Sequence, residues 1–320
     1  MTPHDWIKRP LGEVAEFVNG RGFKPHEWSQ EGLPIIRIQN LNGSNDFNYY
    51  NGSYDPKIEV QNGDLLFAWS GSRGTSFGPH YWFGCKAVLN YHTWRVVVSQ
   101  ETVDKSFMFF ALQLLTVQIE DEAHGAAGLV HTQKNKVELY KFSFPPIPEQ
   151  KAIAAVLSTW DRGIRQRTDL IAAKLRFKQG LMQQLLTGKR RFKGCRDEWS
   201  SVQLRNVTTE CEERNRGSLG VDSVMAVTKA EGIIPMRERT IGADIARYLI
   251  VQKNWFAYNP MRINIGSIAR WHGDRDILVS PDYVVFRCND SSGNKLGIDP
   301  DYLDHLRRSG IWEKFVTAAG

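Results

Sequence analysis

Residues 144–192 read FPPIPEQKAIAAVLSTWDRGIRQRTDLIAAKLRFKQGLMQQLLTGKRRF, and this stretch decides the architecture. Three of its first five residues are proline and none of the others is. Pro145, Pro146 and Pro148 predict an extended lead-in, and Pro148 suits a first helical turn, where a missing N–H costs nothing. Glu149 follows, where the positive end of a helix dipole favours an acid. Leu157, Ile164, Ile171 and Leu185 share a seven-residue phase, broken once at Lys178. Ile153 and Trp160 lie four residues before the first two, and Leu175 and Met182 continue the face. This is a heptad-like seam. Gly163 and Gly180 weaken the helix locally. Thr187-Gly188 followed by Lys189-Arg190-Arg191 marks its end. About 40 residues at roughly 1.5 Å each predict a rod of about 60 Å, whose one-sided seam needs a partner helix. A core helix of one larger domain is the alternative; the continuous polar side favours a spacer.

Working outward, the 320 residues leave room for a domain on either side. The expected divisions are 1–144, the connector 145–193, and 194–320. Apolar residues make up 42% of the chain, enough for two cores, so disorder is not the expectation. The first residues, MTPHDWIKRPLGEV, lack the apolar run of a signal peptide, and no stretch is long and apolar enough to span a membrane. The expectation is a cytoplasmic protein without membrane contact. Cys85, Cys195, Cys211 and Cys288 lie far apart, with no CxxC pair, which fits reduced thiols and no metal.

Charge is distributed unevenly. Pro148 to Lys193 holds eleven Lys/Arg against three acids, a net +8, whereas the whole chain carries +6, so the remainder sums to −2. A positive connector can gather phosphate, or be no more than a solvated helix face.

The flanking halves echo each other. His4-Asp5-Trp6 is followed by Leu11 and Val14; Asp197-Glu198-Trp199 is followed by Leu204 and Val207, at an offset of 193. Val60-Gln61 leads to Phe67-Ala68-Trp69, and Val251-Gln252 leads to Phe256-Ala257-Tyr258. Gly71-Ser72 is matched with Gly266-Ser267, and NYHTWRVVV (90–98) with SPDYVVFRC (280–288). A divergent duplication accounts for all four. Within the halves LPIIRI (33–38), DLLFAW (64–69), TWRVVV (93–98), DSVMAVT (222–228), WFAYN (255–259) and DYVVFRC (282–288) predict strands. SFMFFALQLL (106–115) and DPDYLDHLRRSG (299–310) predict helices. The fold class is α+β: two similar domains separated by a long coiled-coil-type helix.

A recognition domain, PPIPEQ (145–150), a long helix ending LLTGKRRF (185–192) and a second domain reopening at DEW resemble the specificity subunit of type I restriction–modification enzymes. The resemblance spans essentially the whole chain and rests on the connector. It implies two target-recognition domains, each reading one half of a split double-stranded DNA sequence through the major groove. It implies helical connectors that hold the domains apart and bind DNA methyltransferase (modification) subunits. Restriction/translocase subunits join the complex, which serves DNA methylation and phage defence. It further implies a non-catalytic subunit without a cofactor of its own, S-adenosylmethionine, ATP and Mg belonging to the partner subunits. Such subunits have a second conserved helix, packed antiparallel on the first; no second PPxxEQ is present here, so the expectation is a form lacking that helix. Self-association through the central helix is then a further partner class.

Candidate DNA-binding residues follow from side-chain chemistry. Arg37, Gln39 and Asn40 end a predicted strand with groups suited to guanine and adenine edges; turn chemistry is the alternative for Asn40. SGSRGTSFG (70–78) is a glycine- and hydroxyl-rich loop with Ser72, Arg73 and Thr75. GFKPHEW (22–28) contributes Lys24. Arg262, Ser267, Arg270, Trp271 and His272 hold the corresponding region of the second half; a place in the core is the alternative for Trp271. The chain lacks GxxxxGK[ST], HExxH and a PD…(D/E)xK arrangement, and Asn259-Pro260-Met261-Arg262 falls short of the [DNS]PP[FYW] of adenine methyltransferases. A two-module adaptor on a helical strut, binding no nucleic acid, is the rival reading. It shares the seam and the duplication but leaves the basic connector unexplained.

Overall fold

The computed structural model describes residues 6–122, 128–290 and 296–312. The chain divides into two compact units, 1–167 and 168–320.

Unit 1 runs β1 (Ile7–Pro10), α1 (Leu11–Val14), β2 (Ala15–Asn19), β3 (Leu33–Ile36), α2 (Ile38–Leu41), β4 (Tyr49–Tyr50), β5 (Glu59–Val60), β6 (Leu65–Ala68), β7 (Ser70–Ser72), β8 (Gly78–Tyr81), β9 (Ala87–Leu89) and β10 (Thr93–Val98). It continues with α3 (Lys105–Glu122), β11 (Leu129–His131), α4 (Lys134–Leu139) and β12 (Lys141–Phe144). One antiparallel sheet has the order β2-β10-β6-β8 and a second, mixed one β4-β3-β9-β5. β10 (TWRVVV) is rich in β-branched residues, and its Trp94 faces Phe67 of β6 and Asn19 of β2. The Phe67 and Trp94 rings stack at 5.7 Å, and Phe17, Phe107, Met108 and Leu112 complete that core. Ile35, Ile36, Val88 and Leu89 fill the second core, under the other sheet.

α5 (Ile147–Leu185) is one helix of 39 residues, about 58 Å long at the α-helical rise. Phe144 pairs with Ile7, so β12 returns the chain to its beginning immediately before α5 starts. The division between units falls inside the helix, after Arg167. Gly188, at φ 70°, takes the left-handed conformation that ends helices.

Unit 2 contains α6 (Leu204–Val207), β13 (Thr208–Glu210), β14 (Met225–Thr228), β15 (Gly232–Pro235), β16 (Leu249–Val251), β17 (Phe256–Tyr258), β18 (Ile268–Arg270), β19 (Ile277–Val279), β20 (Val284–Cys288) and α7 (Pro300–Arg307). Its four-stranded sheet has the order β13-β20-β17-β18, which is β2-β10-β6-β8 again. Phe256 faces Phe286 as Phe67 faces Trp94, and these rings also stack, at 5.1 Å. β16 pairs antiparallel with β19, and Val224 bridges Leu278 in parallel, reproducing the β5-β9-β3 arrangement.

Three expectations need correction. Gly71-Ser72 lies in β7, which pairs with β11, whereas Gly266-Ser267 leads into β18, the counterpart of β8; the two dipeptides are not equivalent. The stretch 33–38 is a strand only to Ile36. Asn40 Oδ1 accepts the Arg37 backbone N–H at 3.0 Å, and this local bond turns the chain into α2. The helix predicted at 106–115 extends to Glu122.

Candidate nucleic-acid interface

All eleven Lys and Arg side chains between Pro148 and Lys193 are exposed, so the positive charge of the connector faces solvent. The root of the helix is held by Gln150, which is 1% exposed. Its Oε1 accepts the Asp104 N–H at 2.8 Å, and its Nε2 donates to the carbonyls of Pro145 at 2.8 Å and Thr102 at 3.0 Å. Ala154 is buried in the first core and Ile153 packs against it. Further along, Leu157, Trp160, Ile164, Ile171 and Leu175 are exposed, whereas Met182 and Leu185 are half-buried. Trp160 keeps 71% of its surface in solvent. The middle of α5 therefore presents exposed apolar side chains, interrupted at Arg167 and Thr168.

The residues selected for DNA contact fall into two groups. Several are engaged inside the fold. Asn40 is buried, and its Nδ2 donates to the carbonyls of Ser44 and Asp46, so it shapes its loop, as turn chemistry requires. Ser267 is buried with Oγ on the Val227 carbonyl at 2.9 Å. Arg270, also buried, bonds Asp301 at 2.5 Å and Asn254 at 2.6 Å, tying β18 to the start of α7. That guanidinium holds the Asp301 carboxyl below its usual range. Trp271 packs against the unit 2 core and donates Nε1–H to the Arg275 carbonyl at 2.7 Å.

Trp271 has a counterpart that the sequence comparison passed over. Trp82 donates Nε1–H to the Cys85 carbonyl at 2.8 Å, and a glycine two residues on lies flat against the indole in both places. A Cβ on Gly84 would fall 2.4 Å from the Trp82 ring, and one on Gly273 would fall 2.3 Å from Trp271. WFG (82–84) and WHG (271–273) are the same turn.

Others remain accessible. Lys24, Gln39, Ser72, Thr75, Arg262 and His272 are exposed, and Arg37 is half-buried with its guanidinium 5.6 Å from the Trp28 ring. Arg73 is exposed but donates to the Glu120 carbonyl, while Glu120 Oε1 accepts the Gly74 N–H at 2.8 Å. The loop 72–77 thus closes over the last turn of α3. His272 Nε2 lies 3.7 Å from Asp304.

One cluster escaped sequence reasoning. Arg21 follows β2, and its guanidinium lies 4.3 Å from the Phe23 ring centre and 4.9 Å from that of Tyr50. Nη2 contacts Glu27 Oε1 at 2.6 Å, and the other Glu27 oxygen accepts the Lys24 N–H at 2.8 Å. These bonds, the Lys24 N–H foremost, hold the Glu27 carboxyl below its usual range. The repeat gives no signal for it, since Arg214, 193 residues later, bridges Leu249 of β16 rather than the counterpart of β9.

Comparison with known proteins places these features in context. A family model described as the type I restriction modification DNA specificity domain matches residues 3–173. The EcoBI type I restriction enzyme specificity subunit of Escherichia coli is 26% identical over 200 residues, covering 59% of this chain and 40% of that protein. The MjaVIII specificity subunit of Methanocaldococcus jannaschii is 25% identical over 231 residues, covering 64% and 50%. The chain therefore spans about half or less of the length of these relatives. Among solved structures, a type I restriction–modification S subunit from M. genitalium aligns with TM-score 0.55 at 14% identity, over 98% of this chain and 79% of that one. A chain from a structure of type I R-M complex assembly and conformational transition aligns at TM-score 0.51 and 14% identity, covering 100% and 92%. At such identities the likeness concerns the fold. Among the described residues, no helix is long and apolar enough to cross a membrane.

Proposed function

The chain belongs to the family of type I restriction–modification DNA specificity domains, and on that premise we propose that it is the target-choosing, non-catalytic part of such an enzyme. Each unit reads one half of a split double-stranded DNA site, with α5 as the ruler between half-sites. The observation that carries this reading is the recurrence of one sheet order, β2-β10-β6-β8 and β13-β20-β17-β18, before and after α5. Two copies of one reader separated by a helix suit a site with two parts. Half-sites about 34 Å apart correspond to one turn of B-DNA, within the span of a helix of 39 residues.

Phosphate contacts supply affinity, and side chains at base edges supply choice. The exposed Lys and Arg of α5 and Lys24, Arg37, Gln39, Ser72, Arg73, Thr75, Arg262 and His272 are accessible for one task or the other. The apolar middle of α5 docks methyltransferase subunits, which bring S-adenosylmethionine; restriction/translocase subunits bring ATP and Mg. Both work with this chain in the cytoplasm.

Electrophoretic mobility shifts on duplex DNA over a salt series test the reading. A DNA reader binds and weakens steeply as salt rises, because counterions released from phosphates drive association. No shift at low salt would identify an adaptor that binds no nucleic acid.

A further inference from the structure

We propose that Arg21 is a specificity-determining residue, reading the major-groove edge of a guanine in the half-site taken by unit 1, with Phe23, Tyr50 and Glu27 holding its guanidinium in place. This rests on the DNA-reading function proposed above.

The backbone at Arg21 is fixed on two sides. It lies two residues past the end of β2, and its N–H donates to the Leu89 carbonyl at 2.9 Å, with a parallel bridge to Asn90. The side chain is fixed as firmly. Phe23 and Tyr50 pack edge to face with ring centres 5.1 Å apart, and the guanidinium lies against both. Glu27 takes one hydrogen of Nη2 from the side. Nε is shielded from solvent and makes no hydrogen bond. Among the described residues, Nη1 makes none either. The donor fork is therefore occupied at one corner only, while the side chain keeps 37% of its surface exposed.

Guanine O6 and N7 accept two parallel N–H donors, which is the geometry of a guanidinium end. An arginine already stacked and paired has surrendered its rotamer freedom before binding, so less is lost on contact. The surroundings fit a nucleic-acid face. Trp28, seven residues on, is exposed, as is Tyr91, which follows Asn90, the bridge partner of Arg21; Lys24 lies within the same turn, and the Arg37 guanidinium lies over the Trp28 ring. Arg214, 193 residues later, lies against a different strand: it bridges Leu249 of β16, the counterpart of β5, and donates from Nη1 to the Arg247 carbonyl at 2.8 Å. At that offset the second unit therefore holds no arginine in the setting of Arg21.

The test is selection of bound duplexes from a randomised library by the full chain and by its R21K, R21A and E27Q variants, with thermal midpoints measured in parallel. The wild-type chain enriches a motif containing a guanine that R21K no longer enforces, with a roughly 10- to 100-fold loss of preference at that position. The other positions persist, and E27Q weakens preference at the same base to a lesser degree. Should R21A fail to fold, R21K and E27Q decide. Uniform weakening across all sequences would make Arg21 a phosphate contact and overturn the proposal. An unchanged motif would overturn it too, as would loss of the fold in both R21K and E27Q, which would mark a structural clamp. A wild-type chain that binds DNA without enriching any motif, or does not bind, would instead overturn the DNA-reading function itself, and this proposal with it.

Discussion

Gln150 Oε1 accepts the backbone N–H of Asp104 across 46 residues of sequence, at 2.8 Å, inside a site almost closed to solvent. Its amide nitrogen satisfies two further carbonyls, so one side chain joins the loop before α3, the proline lead-in and the first turn of α5. Q150A leaves one donor and two acceptors unmatched in a buried site and is expected to destabilise unit 1 by about 2–3 kcal/mol. Q150E, which sets a carboxylate against carbonyl oxygens, is expected to cost more at neutral pH. Urea unfolding followed by tryptophan fluorescence checks both; equal stability of Q150A and wild type would refute the latch.

Trp271 acts in the fold of unit 2. W271F keeps most of the packing and loses the bond to Arg275, so a loss of about 2 kcal/mol is expected. DNA affinity of the folded variant is expected to match wild type within twofold. A large drop in affinity at unchanged stability would return Trp271 to the DNA face.

Ile171 and Leu175 lie on the exposed middle of α5. I171K and L175K therefore cost the isolated chain little, within about 0.5 kcal/mol. Both are expected to reduce recovery of a co-expressed methyltransferase subunit strongly. Thermal midpoints and affinity copurification give the two readings, and undiminished recovery would remove this face as the docking surface.

His80 is half-buried with Nε2 3.0 Å from the Ser76 carbonyl, and loss of solvent around the ring lowers its pKa below the usual value. Protons then bind the unfolded chain more readily than the folded one, so stability is complete above the ordinary histidine value, about 6.5. It falls as pH drops from there toward the lower folded-state value. His92 contributes in the same direction through burial. The thermal midpoint of unit 1 is expected to fall between pH 7.5 and 5.5, and less so in H80Q; an identical slope in H80Q would contradict this.

Much of the architecture could be read from periodicity alone. The α5 seam, the Gly188 stop and the strands at 65–68, 93–98 and 256–258 follow from local pattern, because burial on one face imposes that pattern directly. The duplication was visible where the core needs the same shape twice, as in Phe67-Ala68 and Phe256-Ala257. It failed at Gly71-Ser72, since two small residues recur by chance and strand pairing is not local information. The binding face was less legible. Arg270 and Ser267 carry DNA-reading chemistry, yet Asp301, Asn254 and the Val227 carbonyl, distant in sequence, claim their polar atoms. Arg21 was overlooked for the converse reason, because its stacking partner Tyr50 lies 29 residues away.

The most direct measurement is a map of methylated adenines in DNA from cells expressing this chain with its methyltransferase subunit, for wild type and for a variant with seven residues inserted in α5 between Gly163 and Gly180. The insertion lengthens the helix by about 10 Å, or roughly three base pairs. A split motif of fixed gap is expected for wild type, and the same two half-sites with a wider gap for the variant. A contiguous motif, no motif, or an unchanged gap after insertion would contradict the ruler.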